Sequence, residues 1–383
     1  MSVRSVVVSR VVMLALVTWV AAIASVSLNA SPQLAPPRDA ASTALPAQPT
    51  GEAIYRATCI TCHAADGKGS PTAVVGFDTP LPDFTDCAFA TAEADADWHA
   101  VVHEGGTIRG LSRRMPSFGD ALTADEIVSV VDYVRHFCTD KSWPRGDLNF
   151  PRAFFTEKAF PENEVVLTTS MTRGDQASIG NEIVYERRFG SRNQIEVVIP
   201  VDAFKDQGPW TRGLGDVAFA FRRTLFSGSA AIAAAGAEVA VPTGNSDRGL
   251  GNGFTIYEPF AMLDRALFGN TFLQLHGGIE IPSDSARGSK EAYFRTAVGT
   301  TFMGDRGFGR SWSPQVELLW ARPFGEPSEW DVVPQLQVSL SKIQHVVVAG
   351  GVRIPVTERH RSASVVTYLV WDWYDGGFTE FWK

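Results

Sequence analysis

Cys59-Ile60-Thr61-Cys62-His63 is the stretch that decides the fold of the N-terminal part of the chain. It has the C-x-x-C-H spacing of covalent haem attachment. Two thiols at this spacing reach the two vinyl groups of one haem, and the adjoining histidine supplies an imidazole nitrogen to the iron. A redox dithiol or half of a zinc site also contains C-x-x-C, but no second ligand pair follows. We therefore predict one covalent haem c, bound by Cys59, Cys62 and His63.

Around this motif the sequence resembles the class I cytochrome c family, over about residues 51–140. Gly51-Glu52-Ala53-Ile54-Tyr55 resembles that family's first helix, and Asp66-Gly67-Lys68-Gly69 its post-haem loop. Arg114-Met115-Pro116-Ser117-Phe118 resembles its sixth-ligand loop. The resemblance implies an all-α domain that carries electrons, with Met115 as the second axial ligand of the iron.

The residues around Met115 are compatible with that role. Pro116 keeps the loop from becoming helical, and a thioether opposite His63 raises the haem potential. His99 and His103 are rival candidates for the sixth ligand.

A helix is predicted after this loop on local grounds alone. Thr123 and Glu126 form an S/T-x-x-E capping box. An apolar stripe at helical spacing follows: Ile127, Val130, Val131, Val134 and Phe137. Cys87 and Cys138 remain after haem attachment, and in an oxidising compartment such a pair suggests a disulfide. Two buried free thiols are the alternative.

The N-terminus predicts export. Arg4 and Arg10 precede an apolar run at residues 11–24, which ends in a small-x-small cleavage pattern. We predict a signal peptide at 1–24, with an uncleaved anchor helix as the alternative, and a disordered linker rich in Pro, Ala and Ser at 25–50. Both alternatives place the rest of the chain outside the cytoplasm.

Overall composition excludes some function classes. A net charge of −8 gives no basic bias towards nucleic acid. Ser227-Gly228-Ser229 lacks the nucleophile-elbow pattern, and the glycines at 249–253 lack a phosphate-binding lysine. We therefore predict that the protein is an electron carrier and not an enzyme.

A second linker is predicted at 141–162. In residues 163–383, stretches in which polar and apolar residues alternate are separated by residues typical of turns. In 271–281, for example, Leu273 and Leu275 lie on one face, and Gln274 and His276 on the other. The region is predicted to be all-β.

An antiparallel outer-membrane β-barrel of about 12 strands fits this region best. The strands are about ten residues long, as a tilted crossing of a bilayer requires. Aromatic residues near strand ends are typical of an interfacial girdle: Trp312, Trp320, Trp330, Trp371, Trp373, Phe378, Phe381 and Trp382. Charged residues on the polar faces suit a wet interior: Glu280, Arg295, Glu317 and Arg353. His276 and His345 are interpreted as lumen residues, and a large β-sandwich is the alternative fold.

Two resemblances bear on this region. Gly213-Leu214-Gly215-Asp216-Val217, Val241-Pro242-Thr243-Gly244 and Leu275-His276-Gly277-Gly278 resemble predicted outer-membrane proteins from phenol-degradation gene clusters. The plan of the whole chain is similar to that of fused cytochrome–porins of iron-oxidising bacteria.

Three functions follow as hypotheses. The first is an electron conduit in the outer membrane, with the cytochrome in the periplasm and a redox protein or metal ion as partner. The second is a transport barrel, in contact with membrane lipid, that carries an accessory cytochrome. The third is a soluble periplasmic cytochrome with a β-rich binding domain.

Overall fold

The computed structural model describes residues 49–77, 80–174, 177–205, 208–303, 310–341, 344–357 and 361–372. The predicted signal peptide and nearly all of the linker at 25–50 lie outside these ranges, as do Trp373, Phe378, Phe381 and Trp382 of the predicted girdle. Among the helices that the structure describes, none combines the length and apolar character needed to span a membrane.

The first part of the described chain is a small helical domain. Its helices are α1 (Gly51–Thr58), α2 (Ile60–His63), α3 (Thr72–Val75), α4 (Cys87–Ala90), α5 (Asp95–Glu104) and α6 (Ala124–Arg135). The predicted capping box starts α6: the Thr123 hydroxyl accepts the Glu126 N–H, and the Glu126 carboxylate accepts the Thr123 N–H. The apolar stripe of α6 packs on Ile54 and Tyr55 of α1.

Arg135, at the end of α6, forms hydrogen bonds with residues at the end of α4, before α5 and at the start of α5. Its side chain is 7% exposed and donates to Asp95 (2.9 Å), to the Glu93 carbonyl (2.8 Å) and to the Ala90 carbonyl. The guanidinium lies 4.4 Å from the centre of the Trp98 ring.

We expect Arg135→Leu to destabilise the helical domain by roughly 2–6 kcal/mol, because the carbonyls of Ala90 and Glu93 lose their donor at about 1–3 kcal/mol each. Urea unfolding followed by tryptophan fluorescence measures this. Arg56→Leu removes an exposed pair with Glu52 and should change stability by less than about 1 kcal/mol. An equal loss of unfolding free energy in the two variants would show that the contacts of Arg135 stabilise the domain no more than an exposed ion pair does.

Cys87 and Cys138 lie together in this domain. Their Sγ atoms are 2.06 Å apart and their Cα atoms 5.1 Å apart, which joins the start of α4 to the residues after α6. In the chain-entropy model, closing this 51-residue separation stabilises the fold by up to about 4 kcal/mol.

We accordingly expect Cys87→Ser/Cys138→Ser to unfold at lower urea concentration than the wild type. Mass spectrometry of the wild type after alkylation without reductant should find Cys87 and Cys138 unlabelled. Labelling of both cysteines would show that the pair is reduced.

The second part is a closed antiparallel barrel. The strands are β1 (Glu164–Thr172), β2 (Ser178–Phe189), β3 (Asn193–Phe204), β4 (Thr211–Leu214), β5 (Val217–Ser227), β6 (Ala231–Val241), β7 (Ile256–Ala266), β8 (Thr271–Pro282), β9 (Glu291–Thr300), β10 (Phe302–Met303), β11 (Ser311–Pro323), β12 (Glu329–Ser339), β13 (Val346–Pro355) and β14 (Ser364–Asp372). β4 and β10 are short additions, and the other strands form one ring that closes through the β9–β11 and β14–β1 pairings. The predicted barrel and its number of strands, about 12, are confirmed.

The two faces of the barrel wall differ in polarity. Outward side chains such as Leu167, Phe219 and Leu369 are exposed, whereas inward polar ones such as Gln274 and Glu317 are buried. A soluble sandwich has the reverse arrangement, so the β-sandwich alternative is wrong.

The two ends of the barrel differ in their connections. At one end the turns are short, as at 190–192 and 228–230, and at the other the loops are longer, as at 242–255 and 283–290. β1 begins at the short-turn end, and the described part of β14 ends there.

Residues 148–162, which we call the lumen segment, occupy the inside of the barrel. Apolar side chains of this segment and of the wall form one cluster: Leu148, Ala159, Phe160, Ile232, Ala234, Phe260 and Met262. Wall carboxylates accept backbone N–H groups of the segment, Glu317 from Thr156 (2.7 Å) and Asp264 from Ala159 (2.7 Å). The predicted linker at 141–162 does connect the two parts of the chain, but most of it is packed in the lumen.

The helical domain lies against the short-turn end. Glu93 is 3.1 Å from His345, the Ser142 and Ser191 hydroxyls are 2.8 Å apart, and Arg188 stacks on Trp143. His276 lies in the lumen as predicted, whereas the prediction for His345 is wrong. His345 precedes β13 in the β12–β13 turn and faces the helical domain.

Candidate haem-binding site

A cavity of about 520 Å³ lies in the helical domain, and the structure brings the predicted ligands together around it. Cys59, Cys62, His63 and Met115 all line its wall. The rival ligands His99 and His103 are not among the described residues that line it, and His103 instead lies 2.8 Å from Glu104.

The attachment motif spans the junction of α1 and α2. The Cys59 N–H donates to the Tyr55 carbonyl (2.9 Å), and the His63 N–H donates to the Cys59 carbonyl (2.9 Å). One helical turn therefore separates the two thiols, which lie on the same side of the chain. Burial raises the pKa of the Cys59 thiol.

His63 is held as a neutral imidazole. Burial lowers its pKa to about 4, so at neutral pH a ring nitrogen keeps its lone pair. The ring stacks on Phe84 with 4.7 Å between centroids. Nδ1 is buried and has no hydrogen-bond partner among the described residues. The Tyr55 hydroxyl donates to the carbonyls of His63 (3.2 Å) and Ala64 (2.8 Å) and fixes the end of α2.

Two glycines fix the loop that carries Met115. Gly105 has φ +83°, which favours glycine, and the Gly106 N–H donates to the Met115 carbonyl (3.1 Å). A Cβ on Gly106 would lie 2.3 Å from the Ser112 carbonyl oxygen. The loop lies so close to Gly105 and Gly106 that neither position has room for a side chain.

The rest of the wall is largely apolar, with Phe84, Trp98, Val102 and Val130 among its residues. Two thiols, a neutral imidazole and a thioether form a donor set that suits haem c, and an apolar wall suits a porphyrin. The residues present therefore fit one haem.

His345 also lines this cavity, although it comes from the barrel. Sequence reasoning missed its role, because its partner Glu93 lies 252 positions away in the chain. The barrel thus contributes one side chain to the wall of the haem cavity.

Residues 46–134 match the family described as cytochrome c oxidase, cbb3-type, subunit III. None of the curated proteins compared with the chain matches it.

Among solved structures, the chain is similar to the KdgM porin in complex with disordered oligogalacturonate (TM-score 0.38, 9% identity, covering 55% of this chain and 98% of that one). It is also similar to LpxR from Salmonella typhimurium (0.37, 6%, 55% and 99%). A third similar structure is the outer membrane phospholipase A from Escherichia coli (0.32, 8%, 56% and 93%). The family match and the cavity agree, and the described part of residues 46–134 is a small helical cytochrome c domain that precedes a closed β-barrel of 12 strands.

Proposed function

We propose that the protein is a monohaem c-type cytochrome in which Cys59 and Cys62 hold the porphyrin and His63 and Met115 bind the iron. The observation that carries this proposal is that all four side chains line one apolar cavity. Bound haem supplies an iron that alternates between the ferrous and ferric states. The protein positions the ligands, excludes water and leaves an edge for a redox partner.

We further propose that the barrel lies in the outer membrane. Its outward side chains form the apolar surface that lipid requires, and its interior is polar. Such barrels have short turns on the periplasmic side. The contact between the cytochrome domain and the short-turn end supports a periplasmic position for this domain.

The lumen segment favours electron transfer over solute transport. It occupies the interior and is held there by apolar contacts and by hydrogen bonds to Glu317 and Asp264, where a porin would have an open channel. The barrel then serves to hold the haem at the membrane, between a periplasmic redox protein and a partner at the outer mouth. We therefore propose that the protein is an electron conduit of the outer membrane.

Proteoliposomes test this proposal. Full-length protein is reconstituted with trapped ferricyanide, and a membrane-impermeant reductant is added outside. We expect haem-dependent loss of ferricyanide absorbance, and a rate near that of empty liposomes for Cys59→Ala/Cys62→Ala. Equal rates for the variant and the wild type would contradict the conduit. Solute passage through the wild-type barrel without electron transfer would support the transport alternative instead.

A further inference from the structure

The outward face of the barrel carries charge of one sign. Among the described residues, the twelve strands of the ring place four charged side chains on this face, and all four are arginines. Acidic side chains of the same strands, such as Glu238 and Glu258, which pair across β6 and β7, are on the inward face. We call the four cationic residues the outward arginines: Arg187, Arg223, Arg265 and Arg322.

Three of the outward arginines lie at one end of the barrel. Arg187, Arg223 and Arg265 are within four residues of the ends of β2, β5 and β7, and each of these strands leads into a turn at the short-turn end. Arg322 lies at the opposite mouth, one residue before the end of β11. In the proposed orientation of the barrel, the first three arginines lie at the level of the periplasmic leaflet.

No carboxylate in the described part of the chain neutralises the outward arginines, because none of the four forms an ion pair there. A guanidinium group does not lose its proton in proteins. On a lipid-facing surface its charge destabilises a barrel, and the effect grows with depth in the membrane. An anion supplied by the surroundings removes this cost.

Two of the outward arginines belong to one patch of the barrel surface. β3 lies between β2 and β5. The register forms two rows across these three strands, and in each row an arginine and a phenylalanine flank one residue of β3. We call these six residues the arginine patch: Arg187, Ile195 and Phe221 in one row, and Phe189, Asn193 and Arg223 in the other.

The arginine patch combines cations with exposed apolar rings. The side chains of Phe189 and Phe221 are 45% and 46% exposed, and their ring centroids are 6.0 Å apart. The Arg223 guanidinium donates to Asn193 Oδ1 (2.7 Å), a neutral acceptor that orients the guanidinium and leaves its charge in place. A phospholipid has the matching chemistry, because its phosphate accepts hydrogen bonds from guanidinium groups and its acyl chains cover apolar rings. An inorganic anion leaves the rings exposed.

The position of the patch along the barrel fits a lipid headgroup. The turn between β2 and β3 contacts the helical domain: the hydroxyls of Ser142 and Ser191 are 2.8 Å apart, and the Arg192 side chain donates to the Ser142 carbonyl (3.1 Å). Since the helical domain is outside the bilayer in the proposed orientation, this turn marks the boundary between lipid and water. At about 3.3 Å per residue along a tilted strand, Arg187 lies within roughly 10 Å of the turn, which is the depth of the headgroups.

We propose that the arginine patch binds an anionic phospholipid, with the phosphate at a guanidinium group and the acyl chains against the two phenylalanine rings. Arginines near a membrane surface attract anionic lipids. The inference rests on the proposed function for the placement of the barrel in the membrane. It adds one class of lipid as a partner, bound beside the turn that contacts the cytochrome domain.

Native mass spectrometry of the detergent-solubilised, haem-loaded full chain tests the proposal. The chain is titrated with dioleoylphosphatidylglycerol, which is anionic, or with dioleoylphosphatidylcholine, which has the same acyl chains and no net charge. We expect the first phosphatidylglycerol to bind more tightly than phosphatidylcholine, and Arg187→Gln/Arg223→Gln to weaken its binding by about tenfold or more. The matched control is Arg56→Gln/Arg248→Gln, which makes the same change in net charge at two exposed positions outside the patch.

Equal affinity of the wild type for the two lipids, or an equal loss of affinity in the control, would overturn the proposal. If the double variant does not fold, as judged by its elution and haem absorbance, Arg223→Gln alone should weaken phosphatidylglycerol binding and Arg223→Lys should retain it. Unchanged affinity in Arg223→Gln would again overturn the proposal. Binding of neither lipid by the wild type would contradict the membrane placement as well. Lipid binding needs no electron transfer, so these results are independent of the proteoliposome experiment.

Discussion

Replacing Met115 with histidine is expected to lower the reduction potential by a few tenths of a volt, out of the roughly 0.8 V that axial ligands span. A thioether opposite His63 raises the potential, and a second imidazole does not. Met115 lines the cavity on a loop fixed by Gly105 and Gly106, so the new side chain enters from the same position. Potentiometric titration of the haem absorbance measures the shift.

The controls for this prediction are the two rival histidines. His99→Ala and His103→Ala should leave the potential unchanged, because neither is among the described residues that line the cavity. The reduced wild type should also show the nuclear magnetic resonance signals of a ligated methionine. An unchanged potential in Met115→His, or a large shift in a rival variant, would remove Met115 as the ligand.

Glu317→Ala is expected to convert a nearly closed barrel into one that conducts ions. The carboxylate accepts the N–H groups of Phe154 (2.8 Å), Phe155 (3.0 Å) and Thr156 (2.7 Å), together with the Thr156 hydroxyl (2.8 Å). Each buried donor left unpaired costs roughly 1–3 kcal/mol. Residues 154–156 of the lumen segment should therefore detach from the barrel wall. Planar-bilayer recordings should then show larger and more frequent channel openings.

Glu326→Ala removes an exposed carboxylate from the loop after β11 and should leave the conductance as in the wild type. Glu317→Gln keeps one acceptor oxygen and should have an intermediate effect. Wild-type conductance in Glu317→Ala would mean that other contacts hold the segment, and a high conductance in the wild type would contradict the filled lumen.

Patterns among neighbouring residues predicted much of the fold. The capping box at Thr123 and Glu126 predicted the start of α6, and two-residue alternation predicted strands such as β8 and their inward residues Gln274 and His276. These signals come from neighbouring positions, which share one helix turn or one strand face. The spacing within C-x-x-C-H likewise predicted which side chains meet at the cavity.

The features that the sequence did not reveal depend on distant partners. The lumen segment has no periodic pattern, and its partners Asp264 and Glu317 lie more than 100 positions away. The pairing of Glu238 with Glu258, and of Glu280 with Glu291, likewise exists only through the register of the strands. His345 is not a lumen residue because it lies in the turn before β13, which begins at Val346, and the sequence does not show which way that turn faces.

The central claim is that one haem is covalently bound through Cys59 and Cys62, and intact-mass measurement of the denatured chain tests it most directly. After expression with a working maturation system, the wild type should exceed its polypeptide mass by one haem, and Cys59→Ala/Cys62→Ala should show the polypeptide mass alone. A wild type without added mass, or a variant that retains haem through denaturation, would contradict the account.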